Sequence, residues 1–167
     1  MKVLQAWLGS DYPGAVGSNF SYETVEHLSG RFTYQCQVAI PQVARQIKNI
    51  LLLQVPWAGK ISMWGVMASE ERLHPLSLPT SRLSFERHVI DLPDDVTPFA
   101  IPELVSVKCD WGEYRCNWQA VGNQLVCERL LQYGGKQVPS QRFAEFKDFW
   151  RQGNMADTTP IVLRVGE

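Results

Sequence analysis

The sequence has no run of Lys or Arg, and its formal net charge is only −1. A surface that gathers phosphates needs a basic stripe, so a nucleic-acid partner is disfavoured. Nor is there an apolar stretch near the ~20 residues that a membrane-spanning helix requires. The longest such run, residues 50–55, is broken by Gln54 and suits a buried strand. Metal signatures are missing too: there is no CxxC, HxH or HExxH, and His27, His74 and His88 fall on separate predicted elements. Asp91, Asp94 and Asp95 lack the spaced oxygens and closing Glu of a calcium loop, and turn chemistry accounts for them. The Gly-x-Ser-x-Gly elbow, the phosphate loop and the dinucleotide glycine pattern are also absent. No catalytic, cofactor-binding or metal residue is therefore assigned. A secretory leader is not visible at the start, and for a fragment that absence carries no weight.

What the sequence does contain is apolar alternation. At 45% hydrophobic and 20% charged residues, the chain has material for a packed core within one domain. The clearest pattern runs over residues 105–131. Val105, Val107, Cys109 and Trp111, then Tyr114, Cys116 and Trp118, then Leu125, Cys127 and Leu131 repeat with a period of two. That is a three-stranded meander with one buried face. Turns at Gly112-Glu113 and Gly122-Asn123 place Cys109 opposite Cys116, Trp118 opposite Cys127 and Ala120 opposite Leu125.

Elsewhere, Leu4, Trp7 and Leu8 read as the end of a helix stopped by Gly9. A strand is expected over 19–25, with Phe20 and Tyr22 on one face. A cleaner one spans 31–40, where Phe32, Tyr34, Cys36, Val38 and Ile40 share a face before Pro41. Residues 47–55 predict a central strand, 56–69 an irregular connection with one short strand, and 72–78 and 82–92 two further strands. Leu92-Pro93-Asp94-Asp95 is a turn, and Pro98 and Pro102 mark 96–104 as an edge piece. A helix over 139–153 has Ser140 as N-cap, Phe143, Phe146 and Trp150 on one face, and Gly153 as its stop. Residues 160–165 close the chain as a strand. About eight short strands and one late helix give an all-β, antiparallel β-sandwich, with a flattened barrel as the alternative. It is a single domain over 1–167: a leading helix end and linker strand at 1–30, sheets over 31–138, then helix and last strand.

The four cysteines are too dispersed for a disulfide framework and sit at inward strand positions, as small core hydrophobes do. Cys109 and Cys116 are the pair to watch, because the predicted register sets them face to face. Trp57 and Trp64, with Met63 and Met67 nearby, are the one hint of a binding surface, a stacking platform for a sugar or peptide. Their alternative role is to cover one end of the sandwich. Asn19-Phe20-Ser21 is a formal glycosylation sequon of little weight.

The order of short motifs carries more. LPDD begins at Leu92, WGEY at Trp111 and VGN at Val121, and Glu128-Arg129 ends a strand. VPSQRFAEFKDFW begins at Val138, and Ala156-Asp157 precedes IVLR at Ile161. Upstream stand YPGA at Tyr12, VEHLSGRF at Val25 and EERLHPL at Glu70. In order and spacing this resembles the C-terminal β-sandwich domain of bacterial exported transglutaminase-like proteins, a family with an uncharacterised N-terminal β domain and a central transglutaminase-like core. The resemblance implies a Cys-His-Asp core located upstream of Met1, partners in the upstream domains, and a periplasmic or cell-surface location. Nothing in this chain matches the core's catalytic segments, so no catalytic residue carries over. Trp111 and the paired cysteines are not part of the family's pattern. The expectation is a non-catalytic accessory or interaction domain of a larger protein, with no cofactor. A carbohydrate- or peptide-binding module using Trp57 and Trp64 is the alternative.

Overall fold

The computed structural model describes residues 12–23, 32–58, 61, 67–78 and 80–166. The chain separates into two compact units, Met1–Val43 and Ala44–Glu167, where the sequence pattern predicts a single undivided domain. The first unit contains one hairpin, β1 (Val16–Tyr22) antiparallel to β2 (Tyr34–Ala39). Its register shifts between Ser18 and Ser21, where Asn19 takes a φ of 50°. The alternation that predicts β2 is genuine, yet its apolar face is open: Phe32 is 62% exposed and Tyr34 and Val38 are exposed with it. Within the described residues of this unit, two strands supply no second layer for that face to bury against. The predicted helix end at 1–9 lies outside the described residues, as does most of 56–69 with its predicted short strand.

Among its described residues the second unit is sandwich-like, with two four-stranded antiparallel sheets, a short two-stranded one and one α-helix. One sheet has the order β6-β10-β9-β8, from Arg82–Asp91, Gln124–Tyr133, Gly112–Val121 and Val105–Cys109. This is the predicted meander with one strand added. Its second hairpin has the predicted register, Trp118 opposite Cys127 and Ala120 opposite Leu125, around Gly122-Asn123. Gly122 has a φ of +57°, a conformation that glycine adopts without strain.

The first hairpin differs. Its loop is Asp110-Trp111, so Cys109 faces Gly112 and Val105 faces Cys116. The displacement is an even number of residues, which keeps every side chain on its predicted face while changing its partner. Gly112 is therefore a strand residue. A Cβ there would lie 2.7 Å from the Gln132 carbonyl oxygen and 2.8 Å from the Phe149 ring. Trp111 is held in the loop by its Nε1, which donates to the Gln137 carbonyl at 2.9 Å, and by the Arg142 guanidinium 4.6 Å above its ring.

The other large sheet has the order β3-β4-β12-β7, from Ala44–Ile47, Ile50–Leu53, Ile161–Val165 and Val96–Ala100. The strand predicted over 47–55 is present as β4, starting at Ile50; Ile47 ends β3 instead, a strand the pattern does not predict, and the chain turns at Lys48-Asn49 with Ile47 opposite Ile50. Lys48 takes a φ of 56°, unusual for a lysine, so the turn carries no Gly or Pro signal. Only β4 of this hairpin is interior. β7 holds Pro98 and lies at the edge, as its prolines predict. Of the strand predicted over 72–78, two residues pair: β5 (Leu76–Ser77) with β11 (Gln137–Val138).

The helix, α1 (Phe143–Thr158), follows a 3-10 turn at Ser140–Arg142 and lies on the inner face of the meander sheet. Ser140 is not its N-cap, since the 3-10 turn displaces the helix start to Phe143. Phe143, Phe146, Phe149 and Trp150 are all buried, each contributing about 1.5–3 kcal/mol by leaving water. Trp150 meets Tyr133 edge-on at 4.9 Å. Gly153 does not end the helix. A Cβ there would fall 2.7 Å from Ile61 Cδ1 and 3.3 Å from the Tyr114 ring, so the glycine lets the helix approach the sheet. The stop comes at Thr159, whose amide donates to the Met155 carbonyl just before Pro160.

Because a backbone carbonyl bounds the space at Gly112, Gly112→Ala should destabilise the chain by about 2 kcal/mol, within the usual range for overpacking. Urea unfolding followed by tryptophan fluorescence measures this. An unchanged midpoint would contradict the close approach.

Candidate functional site

Three of the short motifs named above converge beneath α1. The inner face of β10 alternates Leu125, Cys127, Arg129, Leu131 and Tyr133, all buried, so a guanidinium stands among apolar side chains. Arg129 is 0% exposed. Its Nε donates to Asp157 Oδ1 and its Nη2 to Asp157 Oδ2, each at 2.7 Å, a bidentate pair joining sheet to helix. Its Nη1 donates to Glu86 Oε1 on β6 at 2.9 Å. Asp157 Oδ1 also accepts from Tyr114 Oη on β9 at 2.8 Å, and Oδ2 accepts from the Ile61 amide at 3.0 Å.

A segment after β4 completes the enclosure. Trp57 Nε1 donates to the Asp157 carbonyl at 3.0 Å, and the Ala58 amide donates to Glu86 Oε2 at 2.9 Å. His88 Nε2 lies 3.3 Å from the same Glu86 oxygen, and its ring meets Trp57 edge-on at 5.0 Å. The Arg129 guanidinium sits 5.1 Å from the Trp57 ring centre and 5.6 Å from that of Tyr114, within cation–π range of both.

Burial alone would push the Glu86 carboxyl up. Hydrogen bonds from His88 and the Ala58 amide, with the charge of Arg129, outweigh it and hold the pKa below the ordinary value. For Arg129 burial works downward, and its bonds to Asp157 and the nearby carboxylate charges more than reverse it. Burial, then the Asp157 charge, pushes the Tyr114 phenol up, so it remains a proton donor. No buried side-chain nitrogen or oxygen among the described residues lacks a partner. The donors and acceptors point at one another, which suits the cluster to bracing three strands, a helix and a loop.

The predicted binding residues fare differently. Trp57 is 3% exposed, its faces taken by Arg129, His88 and Trp118, and so it is no surface platform. The cause is its indole N–H, which finds its acceptor inside the fold. Trp64 lies outside the described residues. Cys109 and Cys116 are not opposite one another; the sulfur nearest Cys116 among the described contacts is that of Cys127, at 3.6 Å. All four cysteines are free thiols. Among the described residues no group of three His, Cys, Asp or Glu side chains is placed to hold a metal, and no helix is long and apolar enough to cross a membrane.

The outer face of the same sheet is unlike the inner one. On β6, Leu83, Phe85 and Val89 point outward and are 56%, 61% and 43% exposed. Phe85 is opposite Leu130 and Val89 opposite Val126, and Arg87 pairs with Glu128 between them at 3.8 Å. β6 is an edge strand whose ten residues pair with β10 without a bulge.

Removing the Asp157 carboxylate takes two bonds from a buried guanidinium and the acceptor from a phenol and an amide. Asp157→Ala should therefore cost about 3–5 kcal/mol in urea unfolding; a cost within about 0.5 kcal/mol, typical of the surface, would contradict the bracing role. Glu86 has a depressed folded pKa, so its stabilisation is complete above the unfolded value of 4.5 and lost as pH falls through the lower folded one. The stability gap between the parent chain and Glu86→Gln should be constant above about pH 5.5 and shrink below 4.5. A gap that widens on acidification would reverse the assignment.

No curated protein sequence matches the chain significantly. Over 71% of this chain and 24% of the other, the fold is similar to a solved structure from Parabacteroides distasonis, a putative protease, with a TM-score of 0.60 and 12% identity. At that identity the likeness is one of fold, and the chain spans about a quarter of that protein's length. Residues 48–163 match the family described as "Domain of Unknown Function with solved-structure structure", a span that takes in the whole meander sheet and α1. On that match, over more than half its length, the chain belongs to the DUF3858 family.

Proposed function

We propose that this chain is a non-catalytic interaction domain of a longer transglutaminase-like polypeptide, and that it docks on the rest of that polypeptide through the outer face of β6 and β10. The observation that carries this reading is the row of Leu83, Phe85 and Val89, exposed on a long edge strand and backed by Leu130 and Val126. Exposed apolar side chains on both sides of the Arg87–Glu128 pair, at the edge of the sheet, favour association, and a chain that remained alone would gain by blunting them.

Two further observations support it. The Parabacteroides protein with the similar fold is more than four times as long as the matched region, which leaves room for a separate catalytic part in a polypeptide of that kind. The motif order from LPDD to IVLR resembles the last domain of exported transglutaminase-like proteins, whose Cys-His-Asp core would lie elsewhere. Cys116 and Cys127 are buried among core side chains, unsuited to meeting a substrate. A periplasmic or cell-surface location belongs to the same reading and rests on the resemblance. The sugar- or peptide-binding alternative loses Trp57 as a contact residue.

In cells that make it, a blot against this chain should detect a polypeptide far longer than 19.0 kDa. The separately expressed remainder should bind the chain in trans, and Phe85→Lys should weaken that binding at least tenfold while changing folding stability by less than about 0.5 kcal/mol, as at exposed sites generally. A native product of 19.0 kDa, or peptidase or transamidase activity from this chain alone, would overturn the proposal.

A further inference from the structure

Cys116 on β9 and Cys127 on β10 lie on adjacent strands of the inner face, both buried. Cys116 is opposite Arg129 and Cys127 opposite Trp118, so the two are diagonal neighbours one pleat apart. Their sulfurs are 3.6 Å apart. The other thiols have no such arrangement: Cys109 faces Gly112, and Cys36 belongs to the first unit. We propose that Cys116 and Cys127 form a reversible disulfide, which makes the centre of the inner sheet face sensitive to redox state.

Closure needs the sulfurs to approach by about 1.5 Å, to the S–S bond length of roughly 2.05 Å. Side-chain rotation alone does not supply that at a diagonal position, so the two strands must also move together. Diagonal positions in an antiparallel pair have Cα atoms roughly 7–8 Å apart, beyond the range that a relaxed disulfide prefers. The bond therefore forms with strain, and strained disulfides are readily reduced. This favours a labile pair over a permanent staple.

The step is thiol–disulfide exchange with a small-molecule or protein disulfide. The Cys116 thiolate attacks one sulfur of that disulfide and releases one thiol. The Cys127 thiolate then attacks Cys116 in the mixed disulfide and releases the second. Two protein thiols become one disulfide, and the incoming disulfide leaves as two thiols. The two sulfurs share a hydrogen bond in which either can donate; with Cys127 as the donor the Cys116 pKa is lowered, which favours Cys116 as the attacking group. Access comes when the β9–β10 hairpin opens, or during folding before α1 covers the sheet. Cys116 lies opposite Arg129 and two residues from Tyr114, the side chains that hold Asp157. Oxidation thus acts on the strands at the point where they grip the helix.

The test uses the full chain with Cys36→Ser and Cys109→Ser, alongside the unsubstituted chain, each incubated folded with oxidised glutathione. Intact mass should fall by two hydrogen atoms, peptide mapping should join Cys116 to Cys127 in both proteins, and reduced glutathione should restore both thiols. The oxidised form should melt at a different temperature from the reduced one. Two thiols still free after an incubation that oxidises the urea-unfolded chain would overturn the proposal. So would stable glutathione adducts without closure, a link through Cys36 or Cys109, or a closed bond that reduced glutathione leaves intact.

Discussion

The bidentate pair between Arg129 and Asp157 is the contact on which the arrangement of the second unit depends. Two well-packed apolar residues at these positions would give a fold of comparable or greater stability, because desolvating both charges offsets most of their attraction. They would not give the same specificity. Each oxygen of Asp157 accepts twice, from Arg129 and Tyr114 on one side and from Arg129 and Ile61 on the other. Sliding α1 by one turn, about 5.4 Å, would take the Asp157 carboxylate from its buried partners and cost the Arg129 guanidinium two of its bonds. Helix position, sheet register and the path of the chain past Trp57 are therefore fixed together.

The two glycines beneath the helix follow from that constraint. Asp157 reaches Arg129 and Tyr114 because Gly153, one turn earlier, presents only backbone to the Tyr114 ring. Gly112 does the same for Phe149 near the other end. With those approaches in place, Phe146, Phe149 and Trp150 fill the space above the meander, and Arg129 and Asp157 are buried beneath them. The outer face of the sheet is built to a different rule. It keeps the apolar side chains of Leu83, Phe85 and Val89 in water at the edge strand.

Much of this was legible in the residues, and the failures have physical causes. The second meander hairpin followed from Gly122-Asn123, since a left-handed turn position needs such residues. The first did not, because Gly112 resembles a turn glycine while its use is to admit Phe149. Gly153 misleads in the same way: composition cannot separate a glycine that ends a helix from one that lets it approach. Lys48 bears a left-handed turn without Gly or Pro, so the expected strand begins at Ile47 although Ile47 ends β3 and β4 starts at Ile50. Arg129 was within reach of the period-two pattern, which places it inward between Cys127 and Leu131. Its partners Glu86 and Asp157 are distant in sequence and no local spacing joins them. The GEY, Glu-Arg and Ala-Asp motifs contained three of the lock's members without revealing that Tyr114, Arg129 and Asp157 meet.

The amide of Ile61 tests the lock most directly. It belongs to no strand or helix, and the hydrogen bond described for it is the one to Asp157 Oδ2. Native-state hydrogen exchange should find it protected to the same free energy as the β10 amides of the core, and to lose that protection only with global unfolding. Exchange at the rate of an exposed loop, while β10 stays protected, would show that Arg129 and Asp157 do not hold the unit together.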